Sequence, residues 1–274
     1  MPLTLLSINL AVTLSIMFGL WLISLRRNDV SIVDLYWGPG FAVVAWISLL
    51  TTQTDSNLRH WLVVGLVSLW ALRLAVYLGW RARNHADEDP RYAAMRAGRG
   101  KAFVWQSLYI VFGLQGMLIW LLSFPLQFGL TNGQAFNLIS LAGAAIALFG
   151  LVFETIADYQ LARFKRQNPA AGALLTEGLW GLTRHPNYFG ETCFQWGLFL
   201  LAAGHWPSVW TVWAPLLMTF LILRISGVRL LEEQLSMRKP DYAEYQRQTP
   251  AFIPRLSRRQ TNQPIHGSSD NTGE

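Results

Sequence analysis

Apolar residues run through this chain in blocks of about 20, the length that crosses a hydrocarbon core, with short polar joins between them. The blocks lie near 3–25, 31–52, 60–80, 102–124, 136–157, 188–205 and 208–228, the sixth being the shortest. This pattern predicts an all-α polytopic membrane helical bundle of about seven transmembrane helices, one domain over 1–256. The polar remainder, 257–274, is rich in Asn, Ser and Gly and is expected to be disordered. The first block is too long for a signal-peptide core and has no small-residue cleavage site before Arg26, so it is expected to be retained. No internal repeat is present.

Polar residues inside the blocks carry the candidate chemistry. The second block opens Ser31-Ile32-Val33-Asp34-Leu35-Tyr36-Trp37-Gly38-Pro39-Gly40. Asp34 and Tyr36 then fall just inside the cytoplasmic edge, and Gly38-Pro39-Gly40 predicts a break one turn deeper, which must line protein or a water-filled cavity. The third block places Arg73 and Tyr77 at i and i+4, with Arg81 and Arg83 as interface anchors. The join over 84–99 contains Asp87-Glu88-Asp89-Pro90-Arg91-Tyr92, either a solvated loop or a lid. The fourth block has Gln106 and Gln115 but no charge, and reads as scaffold. The fifth continues past the membrane edge through Lys165 without Pro or Gly, so its helix should continue too. On it Glu154 and Asp158 are like charges at i, i+4, which repel unless a cation or donors sit between them. Neutralisation within the bundle and a pocket for a polar cofactor both satisfy that requirement.

The stretch 175–195 organises the rest. A Gly-rich turn leads into Arg184-His185-Pro186-Asn187, and Pro186, with fixed φ and no N–H, suits the first turn of a new helix. On that helix Asn187, Glu191 and Gln195 form one polar stripe. Ionisable groups within a span mark function by default, although a short seam joining helix to helix would use the same residues.

Composition agrees with a membrane protein: 52% apolar, 14% charged and thirteen Trp. The single cysteine, Cys193, excludes an intramolecular disulfide framework and reads as a small buried residue. A net charge of +6 raises nucleic acid as a partner, but topology accounts for it better. All of the 22 Lys and Arg residues except Arg59, Arg73 and Arg224 fall in the joins after blocks one, three and five or after block seven. That asymmetry predicts an outside amino terminus and a cytoplasmic carboxyl terminus in a multi-pass membrane protein. Rossmann, Walker and Gly-x-Ser-x-Gly signatures are absent, as is any His or Cys pair at zinc spacing, so no metal is expected.

Arg184-His185-Pro186-Asn187-Tyr188-Phe189-Gly190-Glu191, Asp158 upstream, and Tyr242-x-x-Tyr245 followed by Phe252-Ile253-Pro254 together resemble the integral-membrane steroid 5α-reductase family. The resemblance is to its bacterial branch, named by a domain of unknown function, and is best over 140–255. Isoprenylcysteine carboxyl methyltransferases share a similar Arg-His-Pro-x-Tyr turn and ending. The resemblance implies NADPH held in the cytoplasmic half of the bundle by Asn187, Glu191 and Asp158, with His185 and Tyr188 beside them in the motif. It puts Lys165 or Arg166 at the diphosphate, and Arg229, Glu233, Tyr242 and Tyr245 after the last span. Arg163, Lys165, Arg166 and Arg184 suit the three phosphates of NADPH. Where the steroid enzymes hold the enone with a Gln-Glu pair and a tyrosine, this chain offers Asp34, Tyr36 and Trp37 on the second block and Trp70, Arg73 and Tyr77 on the third.

The expected function is therefore NADPH-dependent reduction of a carbon–carbon double bond conjugated to a carbonyl, in a lipophilic substrate entering from the lipid bilayer. The rivals are an S-adenosylmethionine-dependent carboxyl methyltransferase and a non-catalytic lipid-binding protein. The catalytic candidates are Tyr36, Asp34 and Glu191. Asp34 and Tyr36 point about 200° apart on a regular helix, so only one can face a given substrate oxygen. A phenol donates a hydrogen bond at neutral pH as it stands, which favours Tyr36. Asp34, as an anion, is expected to bind Arg73 or the cofactor amide.

Overall fold

The computed structural model describes residues 2–52, 54–83, 88–167, 169–170, 172–202 and 206–255. The expected tail, 257–274, and part of the 84–99 join lie outside them. Among the described residues every regular element is helical. In chain order the α-helices are α1 Pro2–Arg27, α2 Ile32–Leu35, α3 Trp37–Thr51, α4 Leu58–Arg83, α5 Pro90–Arg99, α6 Phe103–Ser107, α7 Leu114–Leu122 and α8 Phe124–Gly129. They continue as α9 Leu138–Arg166, α10 Pro186–Ala202, α11 Trp206–Val209, α12 Trp213–Phe220, α13 Val228–Arg238 and α14 Tyr242–Gln248. Wider π-helical turns, Leu108–Gly113 and Leu221–Ile225, interrupt the fourth and seventh blocks.

Five helical stretches are long and apolar enough to cross a membrane: Leu3–Arg27, Leu58–Arg83, Pro90–Gly129, Leu138–Arg166 and Trp210–Arg238. This is a multi-pass integral membrane protein. The second and sixth expected spans are helical but short. With 15 residues in α3 and 17 in α10, they reach about 22 and 26 Å at the α-helical rise, against a core of about 30 Å. As expected, α9 runs without interruption past Asp158 to Arg166, and α10 begins at Pro186.

Chain contacts divide the protein into two compact units, 1–151 with 192–219 and 152–191 with 220–274. In the first unit, helices approach closely at several glycines. A Cβ on Gly143 of α9 would stand 2.3 Å from Leu201 N, and one on Gly197 of α10 would stand 2.2 Å from Ala147 N. Glycine thus lets these backbones touch, the usual device where lipid removes the hydrophobic drive for helix pairing. A buried seam adds polar glue: Asn9 Nδ2 donates to Ser48 Oγ at 3.1 Å and to Gln127 Oε1 at 3.0 Å. Trp70, fully buried, is stacked on Phe194 at 5.2 Å and meets Phe41 edge-on at 5.6 Å.

At the far end of α4 lies Arg59, only 1% exposed. It donates to Ala202 O at 2.9 Å, Gly129 O at 3.0 Å, Asn132 O at 2.9 Å and Gln134 O at 3.2 Å. Two of these carbonyls close α8 and α10, where helix carbonyls lack intrahelical partners and a cation is favoured. Beside it His60 Nε2 donates to Asn132 O at 2.8 Å, the tautomer following because Nδ1 accepts from Asn57 N.

The expected break at Gly38-Pro39-Gly40 is displaced. The interruption falls at Tyr36, and all three residues lie in the first turn of α3. Pro39 is tolerated there because the first helical N–H groups have no intrahelical acceptor to lose. The glycines serve packing instead: a Cβ on Gly38 would stand 3.0 Å from Ala71 Cα, and one on Gly40 would stand 2.8 Å from Ile119 Cδ1.

In the second unit, the 178–181 turn is clamped to α9. Gly178, at φ +60°, leaves room for the Gln160 amide, whose Oε1 accepts from Leu179 N at 3.0 Å. Trp180 Nε1 donates to Ala157 O at 3.0 Å. The strand-like strap 249–255 runs beside 182–184: Arg184 N donates to Pro250 O at 2.9 Å, Arg255 N to Leu182 O at 3.0 Å, and Thr183 Oγ1 to Phe252 O at 2.9 Å. Phe189 packs edge-on against Phe153 at 5.5 Å and Phe252 at 5.7 Å, which gives the Phe-Ile-Pro ending its role.

Candidate functional site

One candidate polar set lies in each unit. In the first, α5 begins where Asp89 caps it, its side chain accepting from Arg91 N at 3.0 Å, with Pro90 at the first helical position. The 84–99 join is therefore, over its described part, a docked helix and not a solvated loop. Glu88 accepts from Val30 N at 3.0 Å and from Arg96 Nη2 at 2.8 Å, and Asp89 N donates to Ser31 Oγ at 2.8 Å. Burial alone would push both carboxyls up, but the hydrogen bond from Arg96 to Glu88 and that from Arg91 to Asp89 hold each below its ordinary range.

This docking carries Arg91 and Tyr92 to Asp34. Arg91 Nη2 stands 2.7 Å from Asp34 Oδ2, Tyr92 Oη donates to Asp34 Oδ1 at 2.7 Å, and Gln115 Nε2 donates to the same oxygen at 3.3 Å. The expected partner of Asp34, Arg73, is instead 5.7 Å from the Tyr77 ring. Physically, Arg91 wins because α5 folds back over α2, a tertiary closure that helix periodicity does not disclose. Both Asp34 oxygens are thus engaged as acceptors. Gln115 is part of this set rather than scaffold alone. Tyr36 lies at the interruption between α2 and α3, outside the regular helix that the expected separation of about 200° requires, and has a buried hydroxyl with no partner among the described residues. Trp37 is half-buried, with its ring 5.7 Å from Phe41. Trp70 is core, packed between Phe41 and Phe194.

The second set surrounds Glu232 on α13. Arg184 forms a bidentate pair with it, Nε to Oε1 at 2.7 Å and Nη2 to Oε2 at 2.9 Å. His185 Nε2 donates to Oε1 at 3.1 Å, Tyr242 Oη to Oε1 at 3.3 Å and Gln246 Nε2 to Oε2 at 3.1 Å. The remaining Arg184 nitrogen donates to the carbonyls of Gln246 and Thr249, and Tyr245 Oη donates to Trp180 O at 2.5 Å. Burial, with the Glu232 carboxylate beside it, pushes the Tyr242 hydroxyl up to about 12. Arg184 and Tyr245 thus tie the carboxy-terminal strap to the turn.

Next to this hub, Asp158 is buried and accepts from Asn187 Nδ2 at 3.3 Å. Glu154 is buried one turn away, while Tyr188 and Glu191 are half-buried on α10. Arg163, Lys165 and Arg166 are exposed at the end of α9. Arg229 and Glu233 pair at 3.0 Å, as their spacing predicts, on an exposed face. The hub carboxylate is therefore Glu232, one residue from the predicted Glu233. The two adjacent glutamates differ by about 100° around the helix, so only one can face Arg184, and the Arg229 pairing already assigns Glu233 outward. Of the groups that organise the two sets, Arg91, Tyr92 and Glu232 escaped sequence reading. Among the described residues no group of three His, Cys, Asp or Glu side chains stands close enough to hold a metal ion.

An all-helical membrane bundle with a buried arginine–glutamate hub and a second, aspartate-centred polar set defines a class of integral membrane protein with interior polar sites. The chain belongs to the DUF1295 family, described as proteins of unknown function, whose family model matches residues 20–249. It is also 36% identical over 98 residues to the cobalt-zinc-cadmium resistance protein CzcN of Cupriavidus metallidurans. That match covers 35% of this chain and 43% of the relative, so the chain spans less than half the length of the curated relative it matches. No solved structure matches it.

Proposed function

We propose that this chain is an NADPH-dependent reductase of a carbon–carbon double bond conjugated to a carbonyl, steroid 5α-reductase-like in chemistry, in the bacterial inner membrane. Its substrate would be a lipophilic molecule drawn from the bilayer. The observation that carries the reading is the Tyr36 hydroxyl, buried and unpartnered among the described residues at the junction of α2 and α3, where Asp34 close by is already satisfied. A lone buried donor has a cost unless something accepts from it.

NADPH, when bound, supplies the hydride. The chain's own part is to bind the carbonyl and meet the negative charge that develops on its oxygen, which a preplaced phenol O–H does without reorganisation. Asp34, held by Arg91, Tyr92 and Gln115, anchors α2, at whose end Tyr36 lies. In the second unit the donor set fits a dinucleotide. Exposed Arg163, Lys165 and Arg166 supply positive charge for phosphates, and the Asp158–Asn187 pair with Glu191 supplies polar groups for its neutral parts. Arg184 and Tyr245 are reserved for the fold. The CzcN name specifies no reaction and leaves this reading as it stands.

The test is purified protein with NADPH and a panel of lipophilic enones, following NADPH oxidation. Turnover of at least one enone is expected. Absence of any nicotinamide-cofactor binding sinks the proposal, and thermal stabilisation by S-adenosylmethionine in place of NADPH moves the chain to the methyltransferase reading.

A further inference from the structure

The Gln115 side chain has one workable orientation. Its amide nitrogen lies 3.3 Å from Asp34 Oδ1 and 3.0 Å from Tyr92 Oη. Tyr92 has given its one proton to Asp34 Oδ1, at 2.7 Å, so its oxygen can only accept from Gln115. Turning the amide over would set its carbonyl oxygen against a carboxylate and against a phenol with no proton left to donate. Oε1 is therefore held pointing out of the cluster, and it is buried without a partner among the described residues.

Tyr36 faces the same helix. A Cβ on Gly40 would stand 2.8 Å from Ile119 Cδ1 and 3.2 Å from Tyr36 Cε1, so the Tyr36 ring and Ile119, one turn along α7 from Gln115, flank the same point at Gly40. Its hydroxyl is the second buried polar atom of this region with no partner among the described residues. An acceptor that cannot turn away and a hydroxyl free to donate thus lie in one region of the first unit, beside α7.

We propose that Tyr36 Oη and Gln115 Oε1 act as a donor–acceptor pair that selects a ligand carrying a hydroxyl close to its carbonyl. The ligand carbonyl accepts from Tyr36 while its hydroxyl donates to Gln115. A plain ketone fills the first and leaves the second buried and unpaired, which is the kind of mismatch that polar sites reject most strongly. That the natural substrate is a hydroxylated enone rests on the reductase reading; the binding preference of the pair does not.

The probes are saturated ketones, which cannot be reduced at a double bond: dodecan-2-one, and the same ketone hydroxylated on the carbon beside the carbonyl or one further along. Affinity is read from thermal stabilisation of the detergent-solubilised full chain, without NADPH. At least one hydroxyketone is expected to bind about tenfold more tightly than the plain ketone, one neutral hydrogen bond's worth. Gln115→Met should erase that preference, and Tyr36→Phe should weaken all three ligands together while leaving it intact. Equal affinities in the unaltered chain, or a preference that survives Gln115→Met, overturns the pairing. Should Gln115→Met fail to fold, Tyr36→Phe decides: unchanged affinity for every ketone overturns the proposal. A hydroxyketone preference in a chain that reduces no enone leaves the pair standing and tells against the reductase reading alone.

Discussion

Arg184 and Glu232, 48 positions apart, meet through two parallel hydrogen bonds of 2.7 and 2.9 Å, with side chains only 9% and 17% exposed. Breaking one partner of a pair this sheltered leaves a charge uncompensated, at about 3–5 kcal/mol. Glu232→Gln should therefore loosen the strap over 249–255 and lower thermal stability in detergent. Glu233→Gln, at the exposed neighbouring position, should change it by no more than about 0.5 kcal/mol. Comparable melting of the two variants would remove Glu232 from the hub.

Tyr36→Phe should lower enone turnover at least tenfold, about 1.4 kcal/mol of transition-state stabilisation, with NADPH affinity nearly unchanged. The nucleotide is assigned to other side chains, so a phenol acting on the substrate shows in kcat. Full activity in Tyr36→Phe would shift the donor role to Tyr77 or Glu191.

Asn187→Ala and Asp158→Ala should each weaken NADPH binding by about 1–3 kcal/mol, the scale for stranding a buried polar partner. Direct binding measurements check this. Unchanged affinity in both variants would place the nucleotide elsewhere.

The α5 docking should be acid-sensitive. Arg96 and Arg91 hold Glu88 and Asp89 below their ordinary values despite burial. A carboxyl lowered in the folded state adds stability that is complete above its unfolded pKa and is lost as pH falls through the folded one. Amide protection over 88–99, corrected for intrinsic exchange, should hold at neutral pH and fall below about pH 4. Constant protection into strong acid would show that these ion pairs do not hold the helix.

Gly143→Ala and Gly197→Ala should each destabilise the bundle by about 1–3 kcal/mol or more, since the added methyl would stand 2.3 or 2.2 Å from the facing backbone. Gly65→Ala, with nothing within 4 Å, is the matched control and should be neutral. Yields of monodisperse protein and melting temperatures separate the two cases.

Much of the helical order was readable along the chain, because lipid-length apolar blocks and a proline at a helix start are local signals. The extension of α9 through Arg166 and the start of α10 at Pro186 were of this kind. So was the Arg229–Glu233 pair, fixed by i, i+4 spacing. What escaped was tertiary. Asp34 draws its partners from 57 to 81 residues away, and no periodicity records that α5 folds back over α2. Gly38-Pro39-Gly40 misled for a related reason: in sequence, glycine beside proline signals a break, whereas here the glycines answer to Ala71 and Ile119 on other helices.

Arg59 carries one further consequence. In the unfolded chain it is the one Lys or Arg of the sparsely charged joins, and it weighs against the insertion bias that the opposite joins impose. Once folded it is 1% exposed and saturated by backbone carbonyls. The joins near 52–57 and 130–137 then offer no cation to an anionic lipid headgroup or to a polyanion in solution. The enclosure of Arg59 converts the one cation that runs against that bias into the cap of two helices.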